Sequence, residues 1–432
     1  MRAFALLIAS LCTTLAYSAP PASSEPTYRF DNAFWFDGEQ FIKRTVYVSE
    51  RRLRLAPPEK VDTVVDLAGA HVISPLCEAH NHNLASDYEN EERIARYLSD
   101  GVFYVKMMSN LPRETGVVRH TYNHPQSVDV AFANGSITGS GGHPVKLREQ
   151  LLAQGVYEGF TRETLRDHAY FVVDTPANLD EKWPLVLQYR PDFIKTILVH
   201  SEEYAKRRDD EAYFGNKGLD PQLLPLVVAR AHEARLRISV HVNSAHDFHV
   251  AVASGVDEIA HLPGTKTVEQ IARTDAELAA RNGITVVTTA ALIERLKKKD
   301  PELHAKLRRA QIDNLRLLRD AGVTLAIGSD EYDDTSVGEV QHLRSLGVFQ
   351  DLEILRMWTR NCAPAVFPER KLGRLDPGYE ASFLALDSNP LTDWSSLGRI
   401  RYRFKDGVPL VLPTGGPASL PQFSDQYSNA NP

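Results

Sequence analysis

The chain has 432 residues, 43% of them hydrophobic and 24% charged, an ordinary globular composition long enough to bury a large core. Its net charge is -7 and it carries no basic block, so nucleic acid is excluded as an expected partner. The length suggests two or three domains, although a single barrel can absorb about 250 residues.

Met1-Arg2 followed by the apolar run Ala3 to Leu15 reads as the positive and hydrophobic regions of a secretory signal. The run is short for a membrane span, which needs roughly 20 residues. Ala16, Ala19 and Ala22 offer cleavage points, so residues 1–22 are assigned to the signal, and Pro20 and Pro21 blur its exact end. Leu11 is too bulky for Cys12 to be a lipidated cysteine. The expected protein is therefore exported, periplasmic or secreted, without an integral span. Export leaves Cys77 and Cys362. They are expected as two separate buried thiols, with a disulfide as the alternative that an oxidising compartment allows.

From Thr27 to Val72 short strands alternate with turns, as in Tyr28-Arg29-Phe30, Asn32 to Phe36, Thr45 to Val48 and Val64 to Leu67, with a turn at Asp37-Gly38. After Val72 strands alternate with amphipathic helices, the pattern of parallel strands joined by helical crossovers. The expected strands are Val72 to Glu78, Gly101 to Met107, Val128 to Phe132, Phe193 to Val199, Ile238 to Val242, Glu258 to His261, Ile284 to Thr289 and Val323 to Gly328. Helices are expected at Glu91 to Ser99, Pro221 to Ala234, Val268 to Arg281, Pro301 to Ala321 and Leu352 to Cys362. Eight such units over residues 73–364 predict an α/β fold, a (β/α)8 TIM barrel. β texture returns after Pro364. Residues 27–72 and 365–413 are each too small to fold well alone, so both termini are expected to combine in one small β-sandwich. The polar stretch 417–432 is expected to be disordered.

In Val72-Ile73-Ser74-Pro75-Leu76-Cys77-Glu78-Ala79-His80-Asn81-His82, alternation along a strand puts Glu78, His80 and His82 on one face and Cys77 on the other. Two imidazoles at a strand end suit one transition metal, although a His-x-His pair also arises by chance on surface loops. A barrel places its active site at the C-terminal strand ends. The polar residues that close apolar runs there are His80, His82, Lys195, His241, His261 and Asp330, a set that points to a metal centre. Lys195 has two readings. Burial can strip its proton and let the amine add carbon dioxide, giving a metal-bridging carbamate, or the ammonium can form a salt bridge to Glu78 or Asp330.

These residues resemble the amidohydrolase superfamily, in particular its imidazolonepropionase-like and Xaa-Pro or Xaa-Arg dipeptidase-like dinuclear members. The resemblance rests on His80-x-His82, Asp192-Phe193-Ile194-Lys195, His241, His261 and Asp330. It extends to Ile137-Thr138-Gly139-Ser140-Gly141-Gly142-His143 and to Lys371-Leu372-Gly373-Arg374-Leu375-Asp376-Pro377-Gly378. It implies two divalent metal ions, zinc foremost. His80, His82 and Asp330 would hold the more buried ion, His241 and His261 the more exposed one, and carboxylated Lys195 with a hydroxide would bridge them. Asp330 would shuttle the proton, and His143 would stabilise an oxyanion or bind a substrate carboxylate. The implied activity is hydrolysis of an amide C–N bond in a small substrate such as a dipeptide, an N-acyl amino acid or a cyclic amide.

Three positions depart from the family pattern: Glu78 replaces an aspartate, Asn243 stands where relatives carry a substrate-contacting tyrosine, and residues 200–208 form a charged loop in which Tyr204 or Arg207 could supply the missing contact. The alternatives are a mononuclear deaminase or cyclic-imide hydrolase with unmodified Lys195, and an exported metal-binding protein without turnover. Any of these leaves room for a homo-oligomer.

Overall fold

In the computed structural model, which describes residues 25–412, the expected signal at 1–22 and tail at 417–432 lie outside the described residues. Strands β1 (Tyr28–Asp31), β2 (Phe34–Phe36), β3 (Phe41–Lys43), β4 (Val46–Ser49), β5 (Arg52–Arg54), β6 (Thr63–Asp66) and β7 (His71–Ile73) are followed by β8 (Leu76–Asn81). Then come β9 (Val102–Met107), β10 (Asp129–Phe132), β11 (Ser136–Thr138), β12 (Tyr170–Val172), β13 (Ile194–Ile197) and β14 (Ile238–His241). The remainder are β15 (Glu258–Ile259), β16 (Thr285–Val287), β17 (Thr324–Ala326), β18 (Phe383–Leu386), β19 (Ile400–Lys405) and β20 (Val408–Pro409).

Two sheets are built from the outer parts of the chain. One is four-stranded in the order β5-β4-β1-β6, the other six-stranded in the order β20-β19-β18-β7-β2-β3. Alternation in β1 buries Tyr28 and Phe30 and leaves Arg29 exposed, as a half-buried strand requires. The buried faces share an aromatic core in which Phe30 meets Phe383 edge-on at 5.0 Å and Phe404 at 5.1 Å, with Trp35 against Phe383 at 5.0 Å. Aromatic pairs at this spacing favour such geometry.

The middle of the chain makes a three-stranded sheet, β10-β9-β8, and a seven-stranded sheet, β12-β11-β13-β14-β15-β16-β17, with parallel neighbours throughout. All residues of β8, β9, β10, β11, β13 and β14 are buried, which is why they read as nearly continuous apolar runs.

Three expectations are corrected. The run from Val72 to Glu78 is two strands in two different sheets, because Ser74-Pro75 interrupts it and Pro75 has no N–H to give a ladder. The expected barrel does not close as one sheet. Its third strand is split at Asn134, which takes a left-handed φ of 63°, and Gly135, where a Cβ would lie 2.5 Å from the His168 carbonyl oxygen. The lower half, β10, therefore pairs with β9 while the upper half, β11, pairs with β12 and β13. Between β17 and β8 there is no ladder. Ala79 N–H donates to the Ile327 carbonyl and Asp330 N–H to the His80 carbonyl, both at 2.8 Å. Gly328 permits this approach, since a Cβ there would fall 2.8 Å from the His80 nitrogen. Helix 273–281 begins five residues later than the Val268 start its periodicity suggested. Among the described residues no helix is long and apolar enough to cross a membrane.

The third correction concerns the cysteines. Cys77 and Cys362 form a disulfide, with Cα atoms 5.8 Å apart and a sequence separation of 285. Cys77 does face away from the histidines, as strand parity requires, and Cys362 opens the short helix Cys362–Val366 packed on that side of β8. Closing so long a loop restricts the unfolded chain strongly. Replacing both cysteines by serine is expected to lower the unfolding free energy by about 2–5 kcal/mol, measured by denaturant titration of oxidised wild type against the variant.

Candidate metal centre

His80 and His82 leave the end of β8 on one face, and Asp330 follows β17 in a left-handed conformation with φ 56°. That conformation is uncommon outside glycine, and aspartate is among the residues that accept it. It turns the carboxylate back over the end of β8. One ligand atom from each of His80, His82 and Asp330 lies within 4.8 Å of the others. Asp330 Oδ1 is 3.4 Å from His80 Nε2 and 3.0 Å from His82 Nε2.

The hydrogen bonds around the rings say which nitrogens face inward. His80 Nδ1 lies 2.9 Å from the Ala260 carbonyl oxygen, so it carries the proton and Nε2 presents a lone pair to Asp330. A lone pair and a carboxylate at 3.4 Å repel unless a cation stands between them. Four-coordinate bonds of about 2.1 Å set neighbouring donor atoms about 3.4 Å apart, so the spacing fits a metal ion. His261 Nδ1 is 3.0 Å from Thr289 Oγ1, which leaves its Nε2 for a ligand. His241 Nε2 is bonded to Asn243 Oδ1 at 2.9 Å, which leaves Nδ1. Asn243 thus holds a histidine in orientation at the place where a substrate contact was expected.

His241 and His261 rings lie 4.4 Å apart, His261 and His80 4.5 Å, and His143 stacks on His241 at 4.9 Å. Among the described residues the His143 ring nitrogens have no hydrogen-bond partner, while its backbone N–H is held by the Lys217 carbonyl at 2.8 Å. Lys195 lies on β13, which pairs with the strand β14 that carries His241, and it acts electrostatically on His80, His143, His241 and His261. The structure thus brings His80, His82, His143, His241, His261 and Asp330 together, with Lys195 in electrostatic reach. Tyr204 has Asp220, Asp174, Arg208 and Asp209 as its charged surroundings, and Asp174 accepts from Ser140 in the loop that carries His143. Arg207 is committed to Glu203 and the Asn216 carbonyl.

The site holds its donors in the forms a cation needs. Burial, opposed in part by Asp330, lowers His80 to about 4, and burial with neighbouring histidines holds His241 and His261 well below their ordinary range. Burial alone would raise Asp330, but a proton on His80 or His82 facing it prevails and holds it well below the usual carboxylate range, and a cation in that proton's place would act in the same direction. Burial lowers Lys195 to about 7 despite Asp330 and Glu258. The salt bridge considered for Lys195 is not formed: among the described residues its Nζ is buried with no hydrogen-bond partner, and no carboxylate lies within 4.0 Å.

Glu78 sits beneath the ligands, fully buried, and accepts from His80 N at 3.0 Å, Ser329 N at 2.8 Å and Ser329 Oγ at 2.7 Å, with Asn81 Nδ2 at 3.4 Å. It fastens the residue before Asp330 to the strand that carries the histidines. Sequence reading did not single out Ser329, Thr289 or Ser109. Each is a small polar residue beside a strand end, which is the only signal it gives. Glu78→Gln keeps the shape but turns one acceptor into a donor facing Ser329. Metal affinity, measured by competition with a chromophoric chelator, is expected to fall about 10- to 100-fold.

Residues 202–410 match the family model described as the Amidohydrolase family. The ochratoxinase of Aspergillus niger is 29% identical over 212 residues, covering 46% of this chain and 42% of that protein. The chain therefore spans about four-tenths of the length of the curated relatives it matches. Its fold matches the crystal structure of A. niger ochratoxinase, with a TM-score of 0.70 at 18% identity, over 90% of this chain and 96% of that one. A prolidase complexed with N-methylphosphonate-L-proline gives 0.68 at 20% identity, over 90% of this chain and 100% of that one. A Xaa-Pro dipeptidase with bound methionine gives 0.68 at 17%, over 89% and 99%.

Proposed function

We propose that the chain, whose residues 202–410 match the Amidohydrolase family, is an exported, metal-dependent hydrolase of amide C–N bonds in small substrates. The observation that carries this reading is Lys195, a buried amine with no partner among the described residues, lowered to about 7 by burial and carried on β13 beside the strand that ends in His241. A structural lysine in such a place would need a counter-ion. A lysine that reacts with carbon dioxide needs its proton gone, and burial removes it.

In this reading the parallel strands of the two central sheets are the staves of a (β/α)8 barrel, and the outer sheets a β-sandwich contributed by both termini. His80, His82 and Asp330 Oδ1 would hold one divalent cation, His241 Nδ1 and His261 Nε2 a second, and the Lys195 carbamate would be shared between them. When bound, such ions supply water of lowered pKa and polarise the scissile carbonyl. Asp330 Oδ2, not engaged by His80 or His82, accepts the proton released as water attacks and returns it to the departing nitrogen. His143 is positioned to donate to the oxygen that gains charge, its ring nitrogens unengaged among the described residues. The Ochratoxinase and prolidase relatives support amide substrates, among them dipeptides, N-acyl amino acids and cyclic amides. The disulfide supports an oxidising compartment.

A panel of these amides should be cleaved by the zinc-loaded protein. A chelator should abolish cleavage and added metal restore it. Asp330→Asn should lower kcat by about 10²- to 10⁴-fold. Activity that survives the substitution removes the proton-shuttle role.

Lys195 also gives a pH signature. Its folded value is lowered, so the ammonium dominates below about 7 and the reactive amine above it. With bicarbonate present, metal per chain, measured by elemental analysis after dialysis, should rise from one at about pH 6 to two at about pH 8. Lys195→Ala should stay at one throughout. One ion per chain at both pH values, with no carbamate carbon signal, would favour the mononuclear alternative.

A further inference from the structure

Beside His82 the loops gather hydrogen-bond donors that have no acceptor. Arg148, on the helix Val145–Ala153, directs Nη2 to the Ser109 carbonyl oxygen at 3.1 Å and to Ser109 Oγ at 3.0 Å, and Nη1 to the Tyr157 hydroxyl oxygen. Its Nε is buried without a partner. Among the described residues no carboxylate lies within 4.0 Å of this guanidinium. Arg370, also partly buried, has two, Asp129 and Glu380. A cation withdrawn from water with only neutral acceptors is costly unless an anion joins it.

The hydroxyls around Arg148 are short of acceptors too. Ser109 Oγ already accepts from Arg148 and from Ser136 Oγ at 3.0 Å, so its own proton has nowhere to go among the described residues. Tyr157 accepts from Arg148 and likewise donates to nothing. Tyr332 stacks on His82, ring centroids 5.3 Å apart and planes 18° off parallel; its hydroxyl is in electrostatic reach of Asp330 first, then of Arg148 and Tyr157, and has no hydrogen-bond acceptor among the described residues. The Ser109 carbonyl oxygen is also 3.4 Å from His82 Nδ1, so this donor cluster adjoins the metal ligands directly. The Arg148 Nε and three hydroxyl protons lack acceptors and no carboxylate pairs with the guanidinium, and a substrate carboxylate supplies acceptor and charge together.

We propose that Arg148, Ser109, Tyr157 and Tyr332 form the subsite for a substrate carboxylate on the His82 side of the metal centre. The assignment rests on the hydrolase reading and deepens it: N-acyl amino acids and dipeptides with a free carboxylate are preferred to neutral cyclic amides. The competing account makes Arg148 a clamp between its helix and the loop after β9.

The test separates the subsite from the activity by using probes without an amide bond. Binding of 3-phenylpropanoate and of the neutral 3-phenylpropan-1-ol to the zinc-loaded protein is measured by calorimetry for wild type, Arg148→Lys and Arg148→Met. The carboxylate should bind at least tenfold more weakly to Arg148→Met and less weakly so to Arg148→Lys, while the alcohol changes less than twofold. In turnover, the KM of an N-acyl amino acid should rise at least tenfold in Arg148→Met relative to that of its N-methylamide. Equal binding of the carboxylate to all three proteins, or parallel loss of both probes, overturns the subsite. Arg148-dependent carboxylate binding in a protein that cleaves none of the amides upholds the subsite and removes the hydrolase reading alone.

Discussion

The constraint on which the site depends is the seam between the first and last central strands. No ladder joins β8 to β17, so the two are held by single bonds, Ala79 to Ile327 and Asp330 to His80, and by Glu78, which grips His80 and Ser329 at once. Gly328 is needed because any side chain there would strike His80 or Val287. Asp330 sits in a left-handed conformation, and Thr289, which orients His261, does the same with φ 40°. For a β-branched residue that conformation is a real departure, and such strain survives only where surroundings over-determine it. The ligands are thus placed by irregular backbone at strand ends, supported by the regular strands below.

Electrostatics follow from the same enclosure. Removing four imidazoles and an amine from water favours their neutral forms, and those are the forms that bind cations. Asp330 is the exception: positive charge at the His80 and His82 nitrogens that face it, whether a proton or a cation, holds it as the carboxylate. Deeper in the core Lys106 and Glu258 form a buried pair at 2.8 Å, and both act on Lys195 with opposite sign. The amine above them therefore gains little from either, and desolvation decides its state.

Much of this was legible in the chain. Alternation in Glu78-Ala79-His80-Asn81-His82 told which residues share a face, and apolar runs ending in a polar residue told where the strands stop. What escaped was set by contacts distant in sequence. Nothing near Cys77 announces Cys362, and only the packing of the last short helix on β8 brings them together. The break at Asn134-Gly135 depends on β12 arriving from residues 170–172, a strand with no distinctive run. Asn243 reads as a lost tyrosine until its bond to His241 is seen. Arg148 looks like any charged position on an exposed helix, because the absence of a partner is not a property of sequence.

The pairing of β7 with β18 carries a temporal consequence. His71–Ile73 hydrogen-bonds to Leu384–Leu386, segments separated by nearly the whole chain, and β8 with its histidines begins only two residues after β7. During synthesis the N-terminal partner must wait, unpaired, until the ribosome has almost finished. Such non-local closure is slow and leaves strand edges exposed meanwhile. The rim that carries His80 and His82 would therefore be completed among the last events of folding, once its distant partner strand has been made.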